Sequence, residues 1–192
     1  MMGIRFRTIL SVTGLVLVSL PLVWIYLIKP YQQERILTFL NPDRDPLGTG
    51  YHVIQSKIAV GSGEFWGKGY GNGTQGQLNF LPADHTDFIF SVFSEEWGFM
   101  GSMTVLILFL VLTLWAIGGL YKSKNRVSMI QTVGVVAIIT SHVLINIGMT
   151  LGLMPVVGVP LPFFSYGGSS MISMMFGIGL LLNIRMRRFE AG

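Results

Sequence analysis

FMGSMTVLILFLVLTLWAIGGL, residues 99–120, is a charge-free apolar run. A helix needs about 20 apolar residues to cross the hydrocarbon core of a bilayer, so this stretch is long enough to span one. Three other runs share its character: Ile9–Ile28, Met129–Leu151 and the shorter, Met-rich Ser170–Ile184. Pro21 inside the first is tolerated in a membrane helix, and Gly177 and Gly179 in the last allow close helix approach. The run at 99–120 also extends back to Phe88 through a more polar first turn. The pattern predicts an all-α polytopic transmembrane helix bundle in a single membrane domain, 1–192, with helices at about 9–28, 88–120, 129–151 and 170–184.

Composition agrees. Only 11% of the residues are charged, 51% are hydrophobic, and the mean hydropathy is +0.62. A soluble globule carries about a quarter charged residues, so this chain has too little polar surface to stay in water. There is no cysteine, which removes disulfides, thiolate chemistry and Cys-based metal sites. The first apolar run is too long for a signal peptide and lacks a small-residue cleavage site.

The net charge of +4 sits mostly at the ends of the apolar runs, as membrane topology requires and nucleic-acid binding does not. Arg5 and Arg7 precede the first run. Lys122, Lys124 and Arg126 separate the second from the third, and Arg185, Arg187 and Arg188 follow the fourth. If every run spans, all three clusters fall on one side. Basic loops face the cytoplasm, so both termini are expected there. A large, partly helical extracytoplasmic loop then covers about 29–87, and a short re-entrant-like outer loop about 153–169.

Within the long loop, YQQERILTFL has the mixed character of an interfacial helix. NPDRDPLGTG is a turn-forming stretch. YHVIQSKIAVGSG places Tyr51, Ile54 and Ile58 on one helical face. EFWGKGYGNGTQGQ is glycine-rich, but Phe65, Trp66 and Tyr70 argue for a loop packed on the bundle over a flexible linker.

His85-Thr86-Asp87 stands where the second helix enters the membrane. A carboxylate at that dielectric boundary is partly desolvated, which raises its pKa and makes it a better base near neutral pH. The competing reading is a helix N-cap, which Thr and Asp both satisfy. Glu95 lies eight positions beyond Asp87; at about 100° per residue it shares part of that face if the helix is continuous. Glu95 and Glu96 are either functional or structural partners of a loop cation such as Lys57 or Lys68. Ser141, His142 and Asn146 form a polar stripe on the third helix, either a pathway or a set of interhelical hydrogen bonds. Pro155, Pro160, Pro162 and the segment Ser165–Ser169 mark a fixed, buried loop. No nucleotide-binding, zinc-protease or nucleophile-elbow motif is present.

Three long blocks carry a resemblance: DPLGTGYHVIQSKIAVGSG (45–63), GKGYGNGTQGQLNFLPADHTDFIFSVFSEEWGFMG (67–101) and NIGMTLGLMPVVGVPLPFFSYGGSS (146–170). With the closing basic tail they resemble the FtsW/RodA/SpoVE, or SEDS (shape, elongation, division and sporulation), family in order and spacing. The wording of GYHVIQSKIAVGSG and LPADHTDFIF is closer to the RodA branch. The resemblance implies a peptidoglycan glycosyltransferase that joins lipid II units at the outer face of the bacterial cytoplasmic membrane, working with a class B penicillin-binding protein. It places the essential aspartate of the H-T-D motif at Asp87. His85, Thr86, Gln55, Lys57, Lys68, Glu95 and Ser165 are then candidates for substrate binding. Lys57, Lys68 and Arg35 are candidates to meet the diphosphate, with a divalent cation (Mg or Mn) as a candidate cofactor. The family has about ten membrane helices and this chain supplies about four, so it is expected to be the C-terminal part of a larger bundle. Two other activities remain open: a lipid II flippase, motivated by the polar stripe, and a non-catalytic scaffold for the penicillin-binding protein, motivated by the aromatic loop.

Overall fold

The computed structural model describes residues 19, 21, 23–45, 48–74, 86–119 and 126–187, and every regular element among them is helical. The span expected at 9–28 lies outside the described residues except near its end, where Val23–Leu27 forms a π-helical turn. Gln33 Nε2 closes that turn, donating to Trp24 O at 2.6 Å and Ile28 O at 3.2 Å. Among the described residues five α-helices follow: α1 (Pro30–Leu40), α2 (Thr49–Ser62), α3 (Ile89–Gly118), α4 (Arg126–Thr150) and α5 (Gly168–Arg187). Three helices among the described residues are long and apolar enough to cross a membrane: Ile89–Gly118, Arg126–Thr150 and Gly168–Met186.

α4 is the central helix and packs on both α3 and α5. Phe90, Val143, Ile147 and Leu161 form the apolar centre, flanked by Ile89, Leu106, Phe109 and Leu151. Along α3, Ile107, Leu108, Leu110, Val111 and Leu114 are exposed, an apolar surface that water would not favour. At the opposite end from Phe90, Arg185 Nη1 donates to Trp115 O at 3.3 Å, and its guanidinium lies 4.5 Å from the Trp115 ring. That contact ties the ends of α3 and α5 together, and Thr132 of the first turns of α4 lines the same crevice.

α2 packs against α3 and α4. Its buried face is Gly50, Val53, Ser56 and Ala59, whereas Ile58 on the expected apolar face is exposed. Small residues win here because they let the backbones approach, the usual logic of helix contacts in membranes. Ser56 Oγ donates to Thr150 O at 2.8 Å across that contact.

Gly98 breaks α3. Its φ of 65° and ψ of −162° lie in a region open essentially to glycine alone. A break of this kind strands backbone groups on both sides, and the glycine-rich loop satisfies them. Phe99 N donates to Glu64 O at 2.9 Å and Met100 N to Phe65 O at 3.2 Å. In return Lys68 N and Gly69 N donate to Glu95 O and Glu96 O, each at 3.0 Å. A Cβ on Gly98 would meet Gly63 O and Phe65 O, both at 2.8 Å. The loop around 63–69 is therefore spliced into the helix and is not a free linker.

Candidate active site

Thr86 and Asp87 form a turn immediately before α3. The N-cap of α3 is Phe88, and no side chain caps the helix. The capping role weighed for Asp87 is thus not the one it plays. Among the described residues its carboxylate accepts no hydrogen bond, and burial pushes its pKa up, with Arg35 of α1 pulling the other way. A desolvated carboxylate without hydrogen-bond donors is a stronger proton acceptor than one in water.

The backbone of the same turn is held from two directions. Asn146, fully buried on α4, donates through Nδ2 to Asp87 O at 2.9 Å and to Val159 O at 2.8 Å. Ser165, also buried, donates through Oγ to Thr86 O at 2.6 Å and accepts from Leu161 N at 2.7 Å. The loop 151–167 is thereby laid against the turn. Gly158 adopts a φ of 75°, and Asp87 Oδ2 lies 3.4 Å from where a Cβ on it would stand. Farther along, Arg35, Thr38, Val53, Met154, Pro155 and Val156 share a narrow crevice, where α1, α2 and this loop converge. His52 of α2 lies tilted against Phe88, ring centroids 6.3 Å apart. Burial lowers its pKa and Asp45 opposes the shift.

The candidates from sequence divide into two groups. Thr86, Asp87 and Ser165 come together, with Arg35 as the charge acting on Asp87. Ser165 acts on the backbone, its hydroxyl proton committed to Thr86 O. Lys68 and Glu95 form a separate ion pair at 2.6 Å, with the Glu95 side chain fully buried. Glu95 Oε1 also accepts from Thr74 N at 2.9 Å, Thr74 Oγ1 at 2.8 Å and Ser62 Oγ at 3.4 Å. The face expected to link Glu95 with Asp87 presupposed a helix through both, but α3 begins only at Ile89. Glu96 Oε1 accepts from Gly71 N at 3.1 Å, again within the glycine-rich loop. Lys57 is exposed and lies across Gly152 at the end of α4, and Gln55 is partly buried on α2. His85 lies outside the described residues.

The polar stripe on α4 resolves into different roles. Asn146 holds loop backbone, and Ser141 bonds the carbonyl of Ile138 in its own helix. His142 Nδ1 is buried with no partner among the described residues. Sequence reasoning singled out Asn146 but not its target, because two backbone carbonyls leave no trace in residue types. Gly158 was missed altogether; a glycine flanked by valines in a proline-rich run was the available signal. No group of three or more His, Cys, Asp or Glu side chains gathers as a metal site among the described residues.

Known proteins resemble the chain closely. The family model FTSW_RODA_SPOVE, described as cell cycle protein, matches residues 1–190. The peptidoglycan glycosyltransferase MrdB of Escherichia coli strain K12 is 44% identical over 186 residues, 97% of this chain and 50% of that protein. The peptidoglycan glycosyltransferase RodA of Treponema pallidum strain Nichols is 44% identical over 167 residues, 87% of this chain and 39% of its own. Among solved structures, a chain of a peptidoglycan synthase complex that coordinates polymerization and crosslinking superposes with a TM-score of 0.69 at 33% identity. That match covers 97% of this chain and 51% of the other. The chain spans about half the length of the curated relatives it matches, or less. It belongs to the FtsW/RodA/SpoVE family of integral membrane proteins.

Proposed function

We propose that this chain carries the base of a peptidoglycan glycosyltransferase that extends glycan strands from lipid II. The observation that carries the reading is Asp87, whose carboxylate is partly desolvated, accepts no hydrogen bond among the described residues and is accompanied by Arg35. The base takes the proton from the 4-hydroxyl of the acceptor sugar. The resulting oxygen attacks the anomeric carbon of the donor, and the bond to the undecaprenyl diphosphate breaks with its electrons leaving on the diphosphate. Arg35 is a permanent cation of the kind that meets such charge. A polyprenyl-linked donor holds its reacting carbon near the membrane interface, the depth at which a carboxylate at the mouth of α3 would work.

The loop is assigned to the outer face of the bacterial cytoplasmic membrane, with the basic ends of the spans inside. The shared position of the α3 and α5 ends at Trp115 and Arg185 supports placing Arg126 and Arg185 on one side. A class B penicillin-binding protein is the proposed partner. The synthase complex among the solved relatives favours it, and Trp66 and Tyr70 leave exposed aromatic surface on the loop for such a contact.

The test is polymerisation of labelled lipid II by the full-length protein with its partner in proteoliposomes. Asp87→Asn should abolish polymer while leaving the protein folded. Wild-type levels of product from Asp87→Asn would exclude Asp87 as the base.

A further inference from the structure

We propose that Asn146 and Ser165 are positioning residues for the reaction, two buried ties that fix the Thr86–Asp87 turn on the outer loop and so aim the Asp87 carboxylate. The inference rests on Asp87 being the base. Its own content is that two residues without access to substrate set how well that base works.

The two side chains come from different elements, α4 and the outer loop, yet they take adjacent carbonyls. Asn146 Nδ2 holds Asp87 O, 59 residues away, and Ser165 Oγ holds Thr86 O, 79 residues away. Each also holds loop backbone, at Val159 O and Leu161 N respectively. Fixing two successive carbonyls fixes both peptide planes, because the backbone has only two soft torsions per residue. The direction of the Asp87 Cα–Cβ bond is then set by the loop. The same ties bring Gly158 under Oδ2, where a positive φ favours glycine and no side chain fills the space.

Asn146 is not a residue that packing alone would select. It is fully buried, and its Oδ1 has no hydrogen-bond partner among the described residues. An unpaired buried acceptor is unfavourable, and such violations in a folded protein gather where function requires them. Its other bonds go to backbone at the carboxylate and not to a neighbouring helix. A catalytic base loses rate steeply with small misplacement, on the order of a hundredfold for about 1 Å.

Ser165→Ala removes one tie with minimal change of volume, and Ser165→Thr retains the hydroxyl. Asn146→Asp keeps the shape but sets a carboxylate against two carbonyls; where that variant does not fold, Ser165→Ala alone decides. Polymerisation rates should show kcat for Ser165→Ala down by about 10- to 100-fold with KM for lipid II within about twofold, and Ser165→Thr restoring most of it. A rise in KM at unchanged kcat would overturn the proposal, since it would make Ser165 a substrate contact. So would a lowered Tm with unchanged turnover per folded molecule, which marks a purely structural role.

A second readout needs no turnover. A hydrophobic carbodiimide modifies protonated carboxyls, and mass spectrometry of the Asp87 peptide gives the pH midpoint of labelling. Loosening the turn hydrates the carboxylate, so the midpoint should move to lower pH in Ser165→Ala and stay in place in Ser165→Thr. Among the described residues, Arg35 on α1 and His52 with Asp45 beside α2 are the other titratable groups around the turn, and all stay unchanged. An unmoved midpoint in Ser165→Ala refutes the ties. Activity surviving in Asp87→Asn refutes the base itself while leaving the labelling result to judge the ties separately.

Discussion

Removing the cation from the Lys68–Glu95 pair should be far more damaging than removing the acid. Glu95 is fully buried and pairs with Lys68 Nζ at 2.6 Å. In Lys68→Met the carboxylate keeps the donors from Thr74 and Ser62 but loses the Lys68 cation. Breaking a buried pair from one side costs about 3–5 kcal/mol. The Lys68 side chain is 31% exposed, so solvent screening lowers the expectation to about 2–3 kcal/mol. Glu95→Gln leaves a neutral acceptor for the same donors and a lysine that can swing to water, so about 1 kcal/mol is expected. The double variant should resemble Glu95→Gln alone, because no buried charge is then left unpaired. Thermal unfolding in detergent reads the cycle, with Lys68→Met lowering Tm by roughly 5 °C or more by the scaling for chains of this size. Proteolysis within residues 68–74 should rise in the same variant, since Glu95 fastens both ends of that segment. Equal effects of the two single changes, or additive effects in the double, would refute the asymmetry.

Further expectations concern the splice, the helix contact and the charge on Asp87. Gly98→Ala should lose about 1–3 kcal/mol from backbone strain, because its φ of 65° and ψ of −162° are essentially closed to alanine; Gly134→Ala, where a Cβ meets nothing within 4 Å, should be neutral or stabilising in the same melt. Ser56→Ala should lose about 1 kcal/mol with its buried bond to Thr150 O, read as a lower midpoint in the same assay. Asp87 has a folded pKa raised above its unfolded value, so the stability it contributes is present at acid pH and declines as pH rises through the folded value. Asp87→Asn should therefore melt at or above the wild-type temperature at neutral pH, with the difference closing on acidification.

The apolar runs made the spans legible because their lengths answer to bilayer thickness and nothing else. α3, α4 and α5 formed where those runs lie, although α4 starts at Arg126, ahead of its apolar stretch. The inner face of α2 was not legible. Tyr51, Ile54 and Ile58 are the conspicuous apolar positions, yet Ser56 and Ala59 are the fully buried ones, because backbone approach rewards small side chains. Asp87 stood out through its place at a dielectric boundary. The fastening around it did not, since Asn146 and Ser165 bind carbonyls that every residue carries alike. Glu95 was assigned a face by extending a helix two residues beyond its real start; the alternative reading, a pair with a loop cation, is the one the fold adopts at Lys68, with Thr74 added to it.

The most direct test of Asp87 as the base is the pH dependence of glycan chain growth. The initial rate should fall on acidification as the carboxylate protonates, with a midpoint above the ordinary aspartate value of about 3.9 because burial has raised it. Asp87→Asn should show no turnover at any pH. A wild-type rate that stays flat to the ordinary aspartate value, or an Asp87→Asn protein that polymerises with the wild-type pH profile, would contradict the assignment.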